Sequence, residues 1–423
     1  MLTAGAAAGQ TPYQPVRLPE PGVGVCPEGL CGAEALDSVF AALLATEENR
    51  RTRPVHILQL GDSHTAGDGV SGALRSRLQA RFGRAGRGTT PPGIPYAGYA
   101  PLQLQVQAQD WATPLSPLTP SGGPRTAGVG LAGVSRAAQA PGAQLVLTPD
   151  PGAEPLVIGL CGEAGPQAGV VRVSDATGPD GMLSSGAGSI TVSFVAPDAQ
   201  PICREVLFEA PARSVTLTIG DRPVRLHDVS LWRGTPGVAV SNLGIVGASL
   251  RDLAARDEAI VATQLAYARP QLIVLAFGTN EGFEDALDGG AYEALLREQI
   301  ARLRRLAPAA SLLVLGAPDA LRRVESGGCS ADGQRMAPPS LAVVRDVQRR
   351  VSAEMGVAFW DWQGRMGGEC SADGLAALTE PLMRGDRVHF SSEGADWIGG
   401  MLTADLMAAY DAWKARSSTR GGW

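Results

Sequence analysis

The sequence predicts an α/β protein, a three-layer α/β/α sandwich with a parallel sheet that is interrupted by an all-β sandwich or jelly roll. Short apolar runs alternate with helix-periodic segments near the N-terminus and again after Pro236, as in a parallel sheet covered by helices on both faces. Between residues 83 and 235, short alternating runs recur between Gly, Pro and Asp clusters with no helical period. That pattern is typical of a β-sandwich.

The 423 residues exceed one ordinary core, so we expect two domains. We assign residues 1–100 and 236–423 to a discontinuous α/β domain and residues 101–235 to the inserted β-domain. The predicted strands of the α/β domain are Val55–Leu60, Val238–Val240, Leu272–Ala276, Leu312–Leu315 and Val357–Trp360. The predicted helices are Ala33–Glu48, Val70–Phe82, Leu250–Tyr267, Ala291–Leu306, Leu341–Met355 and Gly394–Trp413. In the insertion, strands are predicted at Gln144–Thr148, Val170–Val173, Ser189–Phe194, Val215–Ile219 and Val229–Trp232.

Composition restricts the partners of the protein. The net charge is -6, so the chain has no excess of basic residues. This argues against nucleic acid as a partner. No run of 18 apolar residues is present, so we expect no transmembrane segment. The small residues of Met1–Gly9 resemble the tail of a removed export signal.

Six cysteines lie two in the N-terminal segment, two in the insertion and two in late loops. Pairing within each group requires no contact between domains, and it predicts the bonds Cys26–Cys31, Cys161–Cys203 and Cys329–Cys370. A zinc site and six free thiols are the alternatives; the lack of a Cys-x-x-Cys pair speaks against zinc. If the disulfides form, the protein works in an oxidising place such as a periplasm.

The turn Gly61-Asp62-Ser63-His64 follows the first strand and precedes a helix. A serine at the carboxyl end of a buried strand is placed as a nucleophile, at the positive end of a helix dipole. Taken alone, the same residues are also typical of an ordinary turn between a strand and a helix.

Two further segments at this edge of the sheet carry hydrogen-bond donors. Gly247 follows the second strand and lets a backbone N–H approach a reacting carbonyl, and Asn280 follows the third strand and offers a side-chain amide. Both are donors of the kind that an oxyanion hole needs. A tight-turn glycine and a helix-capping asparagine are the alternatives.

The segment Asp386-Arg387-Val388-His389 supplies a candidate base. An Asp three residues before a His can fold back to accept from Nδ1, which leaves Nε2 to take the serine proton. The spacing predicts that Ser63, His389 and Asp386 form a catalytic triad.

These four blocks, in this order, resemble the SGNH hydrolase superfamily of GDSL-like esterases. The resemblance implies a flavodoxin-like sheet, with Ser63 as the nucleophile and His389 as the base that Asp386 orients. It also implies an oxyanion hole formed by the N–H of Ser63 with Gly247 and Asn280, and no metal or cofactor. Two residues depart from the commonest pattern, since His64 replaces a Leu and Glu281 replaces an Asp.

Those departures, with the segment from Leu74 to Gly88 and the inserted β-domain, resemble the peptidoglycan O-acetylesterases of Gram-negative periplasms. This resemblance implies a periplasmic or secreted enzyme that removes acetyl from the C6 hydroxyl of muramoyl residues, with an insertion similar to a carbohydrate-binding module. An esterase for another acetylated polysaccharide such as xylan, a glycan O-acetyltransferase and a glycan-binding protein with a dead site are the alternatives. The oligomeric state is left open.

Other residues carry weaker hypotheses. Trp360 and Trp362 are candidates for lining a sugar site, with core packing as the favoured alternative. His64 is a candidate for contacting substrate or for packing at the helix start. The pentapeptide Cys-Ser-Ala-Asp-Gly occurs at residues 329–333 and 370–374, and we interpret the repeat as coincidental turn chemistry.

Overall fold

The computed structural model describes residues 20, 22, 24–26, 29–111, 114–115, 128–138, 140–175 and 189–420. The predicted remnant of an export signal lies outside these residues. Among the described residues, no helix is long and apolar enough to cross a bilayer.

The elements are as follows, in chain order. The first part contains β1 (Leu30–Cys31), a 3-10 helix (Ala33–Leu36), α1 (Asp37–Glu47), β2 (Val55–Gly61), α2 (Ser63–Ala66), α3 (Gly69–Phe82) and β3 (Gly86–Thr90). The insertion contains β4 (Leu104–Gln109), β5 (Pro114–Leu115), β6 (Ser135–Ala138), β7 (Gln144–Pro149), β8 (Val157–Ala164), β9 (Val170–Asp175), β10 (Ile190–Ser193), β11 (Gln200–Leu207), β12 (Val215–Ile219) and β13 (Val224–Trp232). The last part contains β14 (Val238–Gly244), α4 (Leu250–Ala254), α5 (Glu258–Ala268), β15 (Leu272–Ala276), α6 (Thr279–Gly282), α7 (Gly289–Leu306), β16 (Ser311–Leu315), β17 (Arg322–Arg323), β18 (Arg335–Met336), α8 (Pro339–Met355), β19 (Ala358–Trp360), α9 (Trp362–Met366), α10 (Ser371–Ala376) and α11 (Ser392–Arg420).

The main sheet has the strand order β1-β19-β16-β15-β2-β14. It is parallel except for β1, which pairs antiparallel with β19. Alternate residues of each strand face two separate cores: Val55 and Ile57 pack with α1, α3 and α11, whereas Leu58 and Leu60 pack with α4, α5, α7 and α8. The domain is therefore the predicted three-layer α/β/α sandwich.

The insertion is built from two antiparallel sheets, β10-β9-β12-β7-β4 and β11-β8-β13-β6-β5. Their inner faces share one apolar core, to which β7 and β12 contribute from one sheet and β8 and β13 from the other. This arrangement is the predicted β-sandwich. β3 also pairs with β13, so a strand that precedes residue 101 extends the second sheet.

The cysteines form three disulfides, Cys26–Cys31, Cys161–Cys203 and Cys329–Cys370, with no free cysteine. The pairing is the one predicted from their placement. The second bond joins directly opposed residues of β8 and β11.

The predicted helix Leu250–Tyr267 is wrong in one respect, because it is divided into α4 and α5. Asp257 ends the continuity by accepting from the Ile260 N–H as an N-cap, and buried Arg256 donates to the Leu131 carbonyl. A cap and a tertiary contact outweigh the helical spacing of the apolar residues.

Several strands of the insertion are absent from the sequence-based prediction, and β8 shows the reason. It lacks strict alternation because it is buried on both faces. Gly159 lies so close to the main domain that a Cβ there would be 2.1 Å from the Tyr267 hydroxyl of α5. Apolar and polar residues alternate along a strand only where one of its faces is exposed to water.

Asp228 marks the contact between the insertion and the main domain. It is fully buried on β13 and accepts a hydrogen bond from Gln264 of α5. Burial raises the pKa of Asp228 from 3.8 to about 7, against the lowering effect of Gln264. The carboxyl group therefore favours its neutral form in the folded protein.

We predict that Asp228→Asn raises the free energy of unfolding above that of the wild type, and that this gain is larger at pH 8 than at pH 4.5. Above pH 3.8 the unfolded wild-type chain loses the proton while the folded chain holds it up to about pH 7, so this group costs the wild type on the order of 4 kcal/mol as the pH rises. Asn retains the acceptor for Gln264 and has no such cost. Urea unfolding at both pH values measures the difference. An equal gain with Asp198→Asn, an exposed aspartate, would contradict the prediction.

Candidate active site

Ser63 lies two residues beyond β2, at the carboxyl edge of the sheet. β14 and β15 pair with β2 on its opposite sides, so this edge is the switch point at which such sheets bind ligands. Ser63 opens α2, a single turn separated from α3 by Asp68 in a left-handed conformation. The expected dipole of a long helix is thus absent at Ser63, but its N–H has no acceptor within the helix.

The structure brings together the three residues of the predicted triad. The Ser63 hydroxyl donates to His389 Nε2 at 2.9 Å, and His389 Nδ1 donates to Asp386 Oδ2 at 2.8 Å. Asp386 Oδ1 accepts the N–H groups of Val388 and His389. Burial alone would raise the pKa of Asp386, but these hydrogen bonds hold it below its usual value. The carboxylate stays charged and orients the imidazole.

The candidate oxyanion donors also meet at this edge. Asn280 Nδ2 donates one hydrogen to the Ala248 carbonyl at 2.8 Å, which leaves the second hydrogen for a ligand. The contact holds the loop of Gly247, which has a φ of 76°. A Cβ on Gly247 would meet nothing within 4 Å. Glycine is required there by the backbone conformation and not by lack of space.

Glu281 is a site residue that the sequence analysis recorded only as a departure from a pattern. It is buried, and its Oε1 accepts the Leu250 N–H at 2.8 Å, so it ties the start of α4 to the Asn280 turn. Burial, together with nearby Asp62, raises the pKa of Glu281 to about 7. Its position directly after Asn280 was the available signal.

His64 lies beneath the triad. Its Nε2 donates to the Val388 carbonyl at 2.8 Å, and its Nδ1 lies 3.4 Å from Asp62 Oδ1. Burial lowers the pKa of His64, but the Asp62 carboxylate and the Val388 carbonyl raise it above its usual value. The ring also stacks on His389 with centroids 5.4 Å apart. His64 thus links the nucleophile turn to the residue that precedes the base.

Trp360 and Trp362 do not have the accessible position that sugar binding needs. Both are buried, and Trp360 donates its indole N–H to Asp405. Trp362 stacks on Phe390 and meets His64 edge to face. The substrate-binding hypothesis for this pair is therefore wrong in the structure, because both rings are used in core packing below the site.

A cavity of about 830 Å³ opens over Ser63 and His389. It is lined on one side by α2 and α3 and on the other by the segment around Arg384. The loop that leads into the insertion closes a third side with Tyr96 and Gln103, beside Asp150, which follows β7. The space is large enough for a sugar unit with its ester.

The profile of the GDSL-like Lipase/Acylhydrolase family matches residues 221–397. This range holds Gly247, Asn280, Asp386 and His389, whereas Ser63 lies before it in the chain. Fold, site geometry and this partial family match are all similar to those of GDSL-like hydrolases. The protein is a carboxylic ester hydrolase.

Among solved structures, the protein is similar to a peptidoglycan O-acetylesterase, with a TM-score of 0.75 and 25% identity over 90% of this chain and 99% of that chain. A carbohydrate esterase family 2 enzyme with a carbohydrate binding domain from Corynascus thermopiles (Myceliophthora fergusii) gives a TM-score of 0.30 and 11% identity over 72% and 99% of the two chains. An acetyl xylan esterase gives 0.27 and 14% over 40% and 80%. The last two scores are too low to support an argument. No curated protein matches the chain.

We predict that Asn280→Ala lowers kcat on a small acetyl ester by roughly 100- to 1,000-fold, the usual effect of losing one oxyanion donor. KM should change little, because the donor acts on charge that develops in the transition state. Steady-state kinetics with 4-nitrophenyl acetate measure both constants. A loss confined to KM would contradict the assignment of Asn280.

We predict that His64→Leu lowers kcat by about 10-fold, since the turn that holds His389 loses the hydrogen bond to Val388. His64→Gln is the matched variant, because its amide retains a donor for that carbonyl and should lose less. The comparison uses the same ester assay, with thermal melting of all three proteins. Equal losses in the two variants would show that the donor has no role.

Proposed function

We propose that the protein is a serine esterase that removes O-acetyl groups from a glycan, and that its substrate is the C6 O-acetyl group of muramoyl residues in peptidoglycan. The observation that carries the proposal is the similarity to a peptidoglycan O-acetylesterase across 90% of the chain, insertion included. The hydrogen-bonded row of Ser63, His389 and Asp386 supplies the chemistry.

Acylation begins with attack of the Ser63 oxygen on the acetyl carbonyl carbon. His389 Nε2 takes the serine proton, and Asp386 stabilises the resulting imidazolium. The N–H groups of Ser63 and Gly247 and the amide of Asn280 stabilise the oxyanion. When the tetrahedral intermediate collapses, His389 returns the proton to the departing sugar oxygen, and acetyl-Ser63 remains.

Deacylation repeats these steps with water as the nucleophile. His389 accepts a proton from water as its oxygen attacks the acetyl carbonyl, the same donors stabilise the oxyanion, and Ser63 leaves with the proton. Acetate is the second product. The nucleophile, the base and the oxyanion donors of both steps are side chains or N–H groups of the protein chain.

The insertion supports a polymeric substrate. Gln103 and Asp150, which line the cavity, both lie in the predicted β-domain, so a chain bound at Ser63 extends toward the sandwich. We infer that the sandwich holds the glycan strand beside the catalytic centre. The three disulfides support a periplasmic or extracellular place of action.

The test is acetate release from O-acetylated peptidoglycan and from acetylxylan, measured side by side. We expect release from peptidoglycan to be the faster by at least about tenfold in kcat/KM, which is about 1.4 kcal/mol of discrimination. Ser63→Ala should lose activity on both polymers by a factor on the order of 10⁵ to 10⁶. The exposed Ser38 serves as the matched control, and Ser38→Ala should be fully active.

Faster release from acetylxylan would overturn the proposed substrate but leave the esterase mechanism intact. Retained activity in Ser63→Ala would overturn the mechanism itself. Acetyl transfer to an added chito-oligosaccharide in preference to water would show a transferase that uses the same residues.

A further inference from the structure

The two copies of Cys-Ser-Ala-Asp-Gly meet in the structure. The Cys329–Cys370 disulfide joins their first residues, although the copies lie in separate loops, one in the β17–β18 hairpin region and one at the start of α10. Both loops contact the segment 384–389, which carries Asp386 and His389. We name this segment the catalytic turn.

The first loop reaches the catalytic turn through Arg335. The Arg335 guanidinium donates to the Gly385 carbonyl at 3.2 Å and to the Asp386 carbonyl at 3.4 Å. The backbone of Arg335 is itself held by the disulfide loop, because its carbonyl accepts the Cys329 N–H at 2.9 Å. Arg335 thus joins Cys329 to the carbonyl of the triad aspartate through these hydrogen bonds.

The second loop reaches the turn through Asp373, the fourth residue of its pentapeptide. Asp373 Oδ1 accepts from Arg387 Nε at 3.0 Å, and both side chains are largely shielded. Arg387 lies between Asp386 and His389 with a φ of 60°, a conformation that a non-glycine residue adopts only when its surroundings enforce it. The pair with Asp373 is one enforcing contact.

The backbone adds a third contact from the same region. The Leu321 N–H donates to the Arg387 carbonyl at 2.9 Å. Two residues earlier, buried Asp319 accepts the Ala372 N–H of the second pentapeptide at 2.9 Å. The β17–β18 hairpin, the start of α10 and residues 319–321 therefore form one connected support around the catalytic turn. Asp386 and His389 of this turn are themselves partly open to solvent.

We propose that Arg335 and Arg387 are positioning residues for catalysis, anchored by the disulfide-joined pentapeptides, and that they set the distance between Asp386, His389 and Ser63. The inference rests on the proposed roles of these three residues. It assigns the repeat a role in the reaction, in place of coincidental turn chemistry. Neither arginine takes part in bond making; both act through the catalytic turn.

The test compares the hydrolysis of 4-nitrophenyl acetate by several variants. This small ester reports on the triad independently of polymer binding. Arg335→Gln and Arg387→Gln should each lower kcat by roughly 10- to 100-fold with KM within about twofold, because a small displacement of reacting groups is costly. Cys329→Ser with Cys370→Ser should lower kcat in the same direction. The controls are Arg323→Gln, in the same hairpin, and Cys26→Ser with Cys31→Ser, which should retain wild-type kcat.

A second measurement separates positioning from general loss of structure. The proton on His389 Nδ1 should give a downfield resonance in the wild type, and this resonance should weaken or move in both arginine variants while their melting temperatures stay near that of the wild type. Unchanged kcat in the folded arginine variants would overturn the inference. So would an equal loss in Arg323→Gln. Neither result depends on which polymer is the substrate, so the proposed function is tested separately.

Discussion

Parallel pairing of β2 with both β14 and β15 is the constraint on which the site depends. Gly61, the last residue of β2, is opposite Gly244 on one side and Ala276 on the other. A Cβ on Gly61 would be 2.6 Å from the Ala276 carbonyl, and one on Gly244 would be 2.2 Å from the Ala66 nitrogen. The two glycines let α2 lie close against these strand ends, because neither carries a side chain. Ser63, Gly247 and Asn280 follow those ends within a few residues.

A buried charge cluster holds the next part of the chain against this edge. Asp68 pairs with Arg75 and Arg87 at 2.6 and 2.9 Å and also accepts the Leu102 N–H. Burial would raise the pKa of Asp68, but the two arginines lower it to about 2. An unpaired buried charge is costly, so removal of any one of these three side chains would destabilise the fold. It ties α3, β3 and the entry to the insertion to the active-site edge.

The parts of the fold that could be read from the sequence are those with a strong local period. Strand Leu272–Ala276 has the predicted bounds, since a strand buried on both faces in a parallel sheet is a short apolar run. β8 and β11 were not recognised, because β8 is buried at nearly every residue and β11 is mostly exposed or half-buried, and neither environment leaves an alternating pattern. The break at Asp257 escaped for a similar reason, since Arg256 gains its partner from residue 131.

The sequence by itself determined which chemical groups are available and their order: a serine after the first strand, donors after the next two, and an Asp-x-x-His turn whose internal hydrogen bonds need only local backbone geometry. Tertiary structure alone decided where the neighbouring side chains lie relative to the triad. It buried Trp360 and Trp362, placed His64 under His389 and brought two distant pentapeptides together around the catalytic turn. These outcomes depend on contacts between residues far apart in the chain, and such contacts leave no periodic signal in the sequence.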